Sequence, residues 1–138
     1  MTLAEKEKSI IEDFSVYSDW MEKYEYIIEL GKELKPLDEK YKVQENVIKG
    51  CQSTVWMHAE KQDGKIIYTA DGDAIITKGL IALLIYVLSG EDSDTILKAD
   101  LGFIKEIGLQ EHLSPTRANG LLAMVKQMKL DALALKMK

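Results

Sequence analysis

The stretch NVIKGCQSTVWMHAE, Asn46–Glu60, holds the only cysteine of the chain, Cys51. A thiol does its chemistry as thiolate, attacking electrophilic sulfur or taking a metal. Two readings of Cys51 compete. A lone cysteine is commonly a small buried hydrophobe. Against that, Gly50 permits a backbone path or close approach that other residues resist. Gln52 and Ser53 are polar, so the immediate neighbours are not core-like. The local residues leave filler and reagent both open.

Arg117 is the second candidate. It falls third after Ser114, in the first turn of a helix, where Glu or Gln is favoured. A cation there opposes the helix dipole by about 0.3–1 kcal/mol. A local rule broken without visible compensation points to function. Pairing with a surface carboxylate is the plain alternative. Asp73, after the Asp71-Gly72 turn, is placed to cap a helix. Its carboxylate is also within reach of a neighbouring loop.

Other chemistries find no support. Asp71–Asp73 reads DGD but lacks the rest of a calcium loop. His58 and His112 are not in metal-ligand spacing, and no glycine pattern of a phosphate-binding loop precedes Lys78. No Gly-x-Ser-x-Gly elbow and no Ser-His-Asp order occurs. One cysteine excludes an intramolecular disulfide framework, a CxxC pair, and a Cys-rich zinc or iron–sulfur site from one chain. No bound metal or cofactor is expected. A formal charge of -5 makes nucleic acid a poor partner. The longest apolar run, GLIALLIYVL (Gly79–Leu88), is too short to span a bilayer, and MTLAEKEKSI has no apolar signal core. A lone free thiol fits a reducing cytosol, so a cytoplasmic protein away from membranes is expected.

The elements that must position these residues follow from periodicity. The 138 residues are 46% hydrophobic, contain two prolines and show no repeat or linker, which predicts one domain over residues 1–138. Leu3 to Phe14 is a weak amphipathic helix. Trp20, Tyr24, Ile27, Ile28 and Leu34 share one face of a second helix, capped by Asp19 with Glu22 as its capping-box partner and ended by Pro36. Val55, Met57 and Ala59 alternate with Trp56, His58 and Glu60, and KIIYTA (Lys65–Ala70) follows a Gln62-Asp63-Gly64 turn. This predicts a hairpin, with Val47-Ile48 as a short third strand. A helix capped by Asp73 runs from Ala74 to Leu88 and is apolar on nearly every side after Lys78, hence central and buried. A shorter helical stretch runs to Ile107 and stops at Gly108. Ser114 caps the last helix, with Pro115 at its first position and Leu121, Val125, Met128, Ala132 and Leu135 facing inward. The order predicts an α+β fold, a small antiparallel sheet of about three strands against several helices.

Four blocks together resemble the SufE family of sulfur-acceptor proteins: WMEKYEYIIELGKEL (Trp20–Leu34), VIKGCQSTVW (Val47–Trp56), DGDAIITKGLIALL (Asp71–Leu84) and LSPTRANGLLAM (Leu113–Met124). They stand in the family's order and cover most of the chain, whereas Glu91 to Gln110 carries little of the likeness. The resemblance implies a fold related to that of iron–sulfur scaffold proteins. It implies that Cys51 takes a sulfane sulfur from the persulfide of a pyridoxal-phosphate cysteine desulfurase, SufS-like or CsdA-like. It also implies stimulation of that enzyme and delivery of the sulfur to a scaffold complex, SufBCD-like, for iron–sulfur cluster assembly. The pyridoxal phosphate belongs to the partner. Arg117 and Asp73 take the positions of the family's arginine and aspartate near the cysteine, with Gly50 and Gln52 in its loop.

The chemistry agrees with that implication. Sulfur moves when a thiolate attacks the outer sulfur of a persulfide, as in thiol–disulfide exchange. A second cysteine would discharge the persulfide, so one thiol suffices. Arg117 would favour the thiolate, and an apolar hollow should shelter it on a loop able to swing out. The competing readings are an iron–sulfur scaffold, for which one cysteine offers too few ligands, a one-cysteine thiol peroxidase, and a thiol-bearing binding module without sulfur transfer. A homodimer is left open.

Overall fold

The computed structural model describes residues 1–138, and four of its seven α-helices begin at side-chain caps. In α1 (Leu3–Ser15) the Thr2 hydroxyl accepts from the Glu5 N–H, and the Glu5 carboxylate accepts from the Thr2 N–H at 2.9 Å. This is a complete capping box, and the sequence reading passed over it. Asp19 caps α2 (Trp20–Lys32) through the Glu22 N–H at 2.9 Å. The Glu22 side chain does not complete that box; it accepts from the Ser18 hydroxyl instead, at 2.7 Å. The helix closes at Lys32, ahead of Pro36.

The sheet is a single hairpin of β1 (Val55–Gln62) and β2 (Lys65–Gly72), paired from Val55 opposite Gly72 to Gln62 opposite Lys65. Asp63 and Gly64 have φ of +52° and +79°. Positive φ at both centres of a two-residue turn matches the right-handed twist of the strands. Val55, Met57, Ile66, Tyr68 and Ala70 are buried on the inner face. The expected third strand is reduced to one bridge between Val47 and Trp56. The turn of Gln44–Asn46 just before it leaves too little extended chain for a ladder.

Helix α3 (Ile75–Leu88) is the centre of the molecule: Gly79 through Leu84, Val87 and Leu88 are all buried. It crosses α2 at backbone contact. A Cβ on Gly79 would lie 2.2 Å from the Ile27 carbonyl oxygen, so only glycine fits. Beyond α3 the expected single helical stretch is divided into α4 (Ser93–Lys98) and α5 (Phe103–Glu106). Asp100 accepts from the Gly102 N–H at 3.1 Å, a side-chain turn that competes with helix. Leu101, at φ +54°, drops into the core there. Gly108, at φ +74°, starts the short α6 (Leu109–His112).

Helix α7 (Pro115–Lys136) closes the other side. Leu121, Met124, Met128 and Ala132 are buried, while the predicted Val125 and Leu135 are only partly so. Tyr68 donates its hydroxyl proton to the Met128 carbonyl at 2.6 Å, pinning the hairpin to α7. His112 stacks on Trp20 at 4.0 Å and His58 on Tyr41 at 3.7 Å, so both histidines have packing roles. The molecule is α+β with helices over one small antiparallel sheet. No helix is long and apolar enough to cross a membrane.

Candidate functional site

Cys51 stands on a loop fastened at its base by several hydrogen bonds and at its tip by one long thiol hydrogen bond. The Ile48 N–H donates to the Val55 carbonyl at 2.9 Å, beside the Val47–Trp56 bridge. Across the base, Asp73 and Thr54 exchange two hydrogen bonds. The Asp73 N–H donates to the Thr54 carbonyl at 3.1 Å, and the Thr54 N–H donates to Asp73 Oδ1 at 3.0 Å. This corrects the capping role expected of Asp73 and bears out the reach of its carboxylate to a neighbouring loop. The residue at the start of α3 is Ala74, which offers no side-chain cap. The Asp73 carboxylate instead clamps the strand end that leaves the cysteine loop.

The tip lies against α7 through small residues. Gly50 has φ +100°, a conformation that L side chains rarely adopt, and a Cβ there would come within 3.0 Å of Ala123 Cβ. Gly120 gives Cys51 its seat: a Cβ at Gly120 would be 3.5 Å from Cys51 Sγ. The thiol donates to the Gly120 carbonyl at 3.6 Å. Cys51 is half-buried.

A cleft of about 710 Å³ opens beside the thiol. The loop contributes Cys51, Gln52 and Ser53, α3 contributes Thr77 and Leu80, and α7 contributes Arg117, Gly120 and Met124. The expected hollow is therefore mixed rather than apolar, with Leu80 and Met124 below and hydroxyl and amide groups around the rim. Gly50 and Asp73 are not part of its lining; they set the loop that forms one wall.

The structure brings Arg117 to the cysteine's cleft. Its N–H is capped by the Ser114 hydroxyl at 3.3 Å, which fixes the first turn of α7. The guanidinium makes no ion pair with any carboxylate. The alternative of a structural surface pair is thereby removed.

Burial pushes the Cys51 thiol up from its ordinary value, so the resting group is protonated. The expected lowering by Arg117 is not found in this conformation; burial alone sets the direction. A protonated thiol also suits the hydrogen bond donated to Gly120.

One supporting cluster was not legible as such. Asp71 bonds Lys42 and Lys78, each at 3.1 Å, where β2 turns into α3. Its burial alone would raise its carboxyl, but the Gly72 N–H and the two ammonium groups outweigh that and hold it below the usual range. Lys78 and Gly79 thus act in the frame, one tying down the turn and the other admitting α2. No three His, Cys, Asp or Glu side chains converge in a way that could hold a metal ion.

The family model described as SufE, Fe-S metabolism associated domain, matches residues 8–132. The chain is 42% identical to the SufE-like protein 1, chloroplastic/mitochondrial, of Arabidopsis thaliana over 99% of its own length, and spans 37% of that protein. It is 39% identical to an uncharacterized SufE-like protein of Rhizobium meliloti, covering 89% of this chain and 91% of that one. The same identity holds to one of Synechocystis, covering 96% and 84%. The solution structure of a hypothetical protein from Thermus thermophilus superposes with a TM-score of 0.80 over 96% of this chain and 97% of that one, at 22% identity, which shows a shared fold. The chain belongs to the SufE family, whose domain is associated with iron–sulfur metabolism.

Proposed function

We propose that Cys51 is a sulfur acceptor that takes sulfane sulfur from the persulfide of a pyridoxal-phosphate cysteine desulfurase. The observation that carries this reading is the setting of the lone thiol. It lies at the tip of a loop tied firmly at its base and held at the tip by one long thiol hydrogen bond, in a cleft that also holds an unpaired arginine.

At rest the thiol is protonated, seated on Gly120, and unreactive. When the tip lifts off Gly120 into the cleft, the thiol regains solvent on the side lined by Arg117 and its proton becomes easier to lose. Arg117, free of any carboxylate, then stabilises the thiolate. The thiolate attacks the outer sulfur of the donor persulfide. A new sulfur–sulfur bond forms on Cys51, the donor's bond breaks, and the donor cysteine departs as thiolate. No electrons enter or leave. Asp73 and Gly50 act on the path of the loop, and Gln52 stands on the rim where a partner's chain would pass. The sulfur then goes on to a scaffold complex for cluster assembly, in a reducing compartment such as the cytoplasm, where the thiol stays free.

The scaffold reading fares worse on the same geometry, since a cluster needs several ligands and one thiol has none beside it. The test is desulfurase turnover on cysteine with and without this protein, read as product alanine. Turnover should rise with the parent chain and stay at the basal level with Cys51→Ser. Equal stimulation by the variant would separate partner activation from sulfur transfer and overturn the role given to Cys51.

A further inference from the structure

The cleft is larger than one sulfur atom requires, and its chemistry is selective. The chain has 23 acidic residues and a formal charge of -5, yet no Asp or Glu lines this cleft. Its one cation is Arg117, the only arginine in the sequence. Every other basic residue is a lysine, and those close to carboxylates pair with them. The same cleft is lined by the hydroxyl-bearing residues Ser53, Thr77, Ser114 and Thr116. A planar guanidinium with nearby hydroxyls matches the oxygen edge of an oxyanion. Cys51 Sγ opens into the same space.

We propose that this cleft binds a small oxyanion beside Cys51, and that sulfite bound there unloads a Cys51 persulfide as thiosulfate. The second half rests on the sulfur-acceptor reading; the anion site does not. In the step, the sulfite sulfur lone pair attacks the outer sulfur of the persulfide. A sulfur–sulfur bond forms in thiosulfate as the one on Cys51 breaks, and the bond pair returns to Sγ. Sulfite sulfur is oxidised, the persulfide is reduced to thiolate, and the thiolate takes a proton from solvent to regain its resting form. Two anions must meet in this reaction, and Arg117 offsets their repulsion.

Two arms test it with the full chain. In the first, the free Cys51 thiol is alkylated by iodoacetate or by neutral iodoacetamide. The ratio of the two rates should fall by about two- to fivefold in Arg117→Ala, which removes the only cation lining the cleft. Arg117→Lys should keep part of it. Sulfate should slow iodoacetate in the parent more than chloride does at the same ionic strength, and not in Arg117→Ala. Equal ratios in parent and variant would overturn the anion site, whatever else is seen.

In the second arm, protein loaded by a desulfurase is desalted and mixed with sulfite, and thiosulfate is measured by ion chromatography. The rate should saturate with sulfite and be competed by sulfate, whereas Arg117→Ala should give a line without saturation. A straight line in the parent too would overturn unloading through the site. Loading that fails while the alkylation ratio holds would strike the sulfur-acceptor reading and leave the anion site standing.

Discussion

The α2–α3 crossing and the Cys51 loop lie close together but are built on opposite rules. At the crossing, backbone meets backbone, Gly79 admits no added atom, and the side chains from Leu80 to Leu84 are all buried. In the loop, Gly50 and Gln52 are exposed, and the tip is held by one long thiol hydrogen bond to Gly120. Stability sits in the first region and mobility in the second, as expected where a reactive group must be both stored and delivered. Asp73 marks the seam, because it belongs to the start of α3 and ties the end of the loop.

Breaking the frame should cost most. In Gly79→Ala the new methyl would lie 2.2 Å from the Ile27 carbonyl oxygen, so α2 must move. Urea unfolding should show a loss of about 3 kcal/mol, at the upper end for overpacking. A loss near zero would mean the two helices are not in backbone contact.

The pH response of the loop should come next. Burial raises the Cys51 thiol, so the neutral form persists to higher pH and the thiolate fraction grows only as pH climbs past it. Iodoacetamide labelling of the isolated protein should rise about tenfold per pH unit and continue to rise beyond about 8.5, the ordinary thiol value. A plateau below that pH would contradict a shielded resting thiol.

Loosening the seam should have the smallest effect. Asp73→Ala removes the acceptor of the Thr54 N–H, worth about 1 kcal/mol, so labelling of Cys51 should quicken by about fivefold at fixed pH. Helicity should be kept, since Asp73 does not cap α3. Lost helix signal by circular dichroism would restore the capping role.

What was legible in the sequence was local. Asp19 and Ser114 cap the helices they precede, and the alternation from Val55 to Ala59 became the hairpin. The two roles open to Asp73 could not be told apart, because a helix cap and a loop clamp use the same chemistry, a carboxylate accepting a backbone N–H. Which N–H it takes depends on Thr54, nineteen positions away. The break at Leu101 was hidden for a similar reason: burial of the side chain outweighs a backbone conformation that leucine seldom adopts. The family blocks placed Cys51 and Arg117 in one site before any geometry was known. The seat on Gly120, and the balance that leaves the thiol protonated, depend on burial that no string of residues states.

The most direct measurement is the intact mass of the protein after incubation with a cysteine desulfurase, pyridoxal phosphate and cysteine, followed by peptide mapping. The account predicts the gain of sulfur on Cys51, removed by a reducing agent and absent from Cys51→Ser. An unmodified Cys51 with every candidate desulfurase would contradict it.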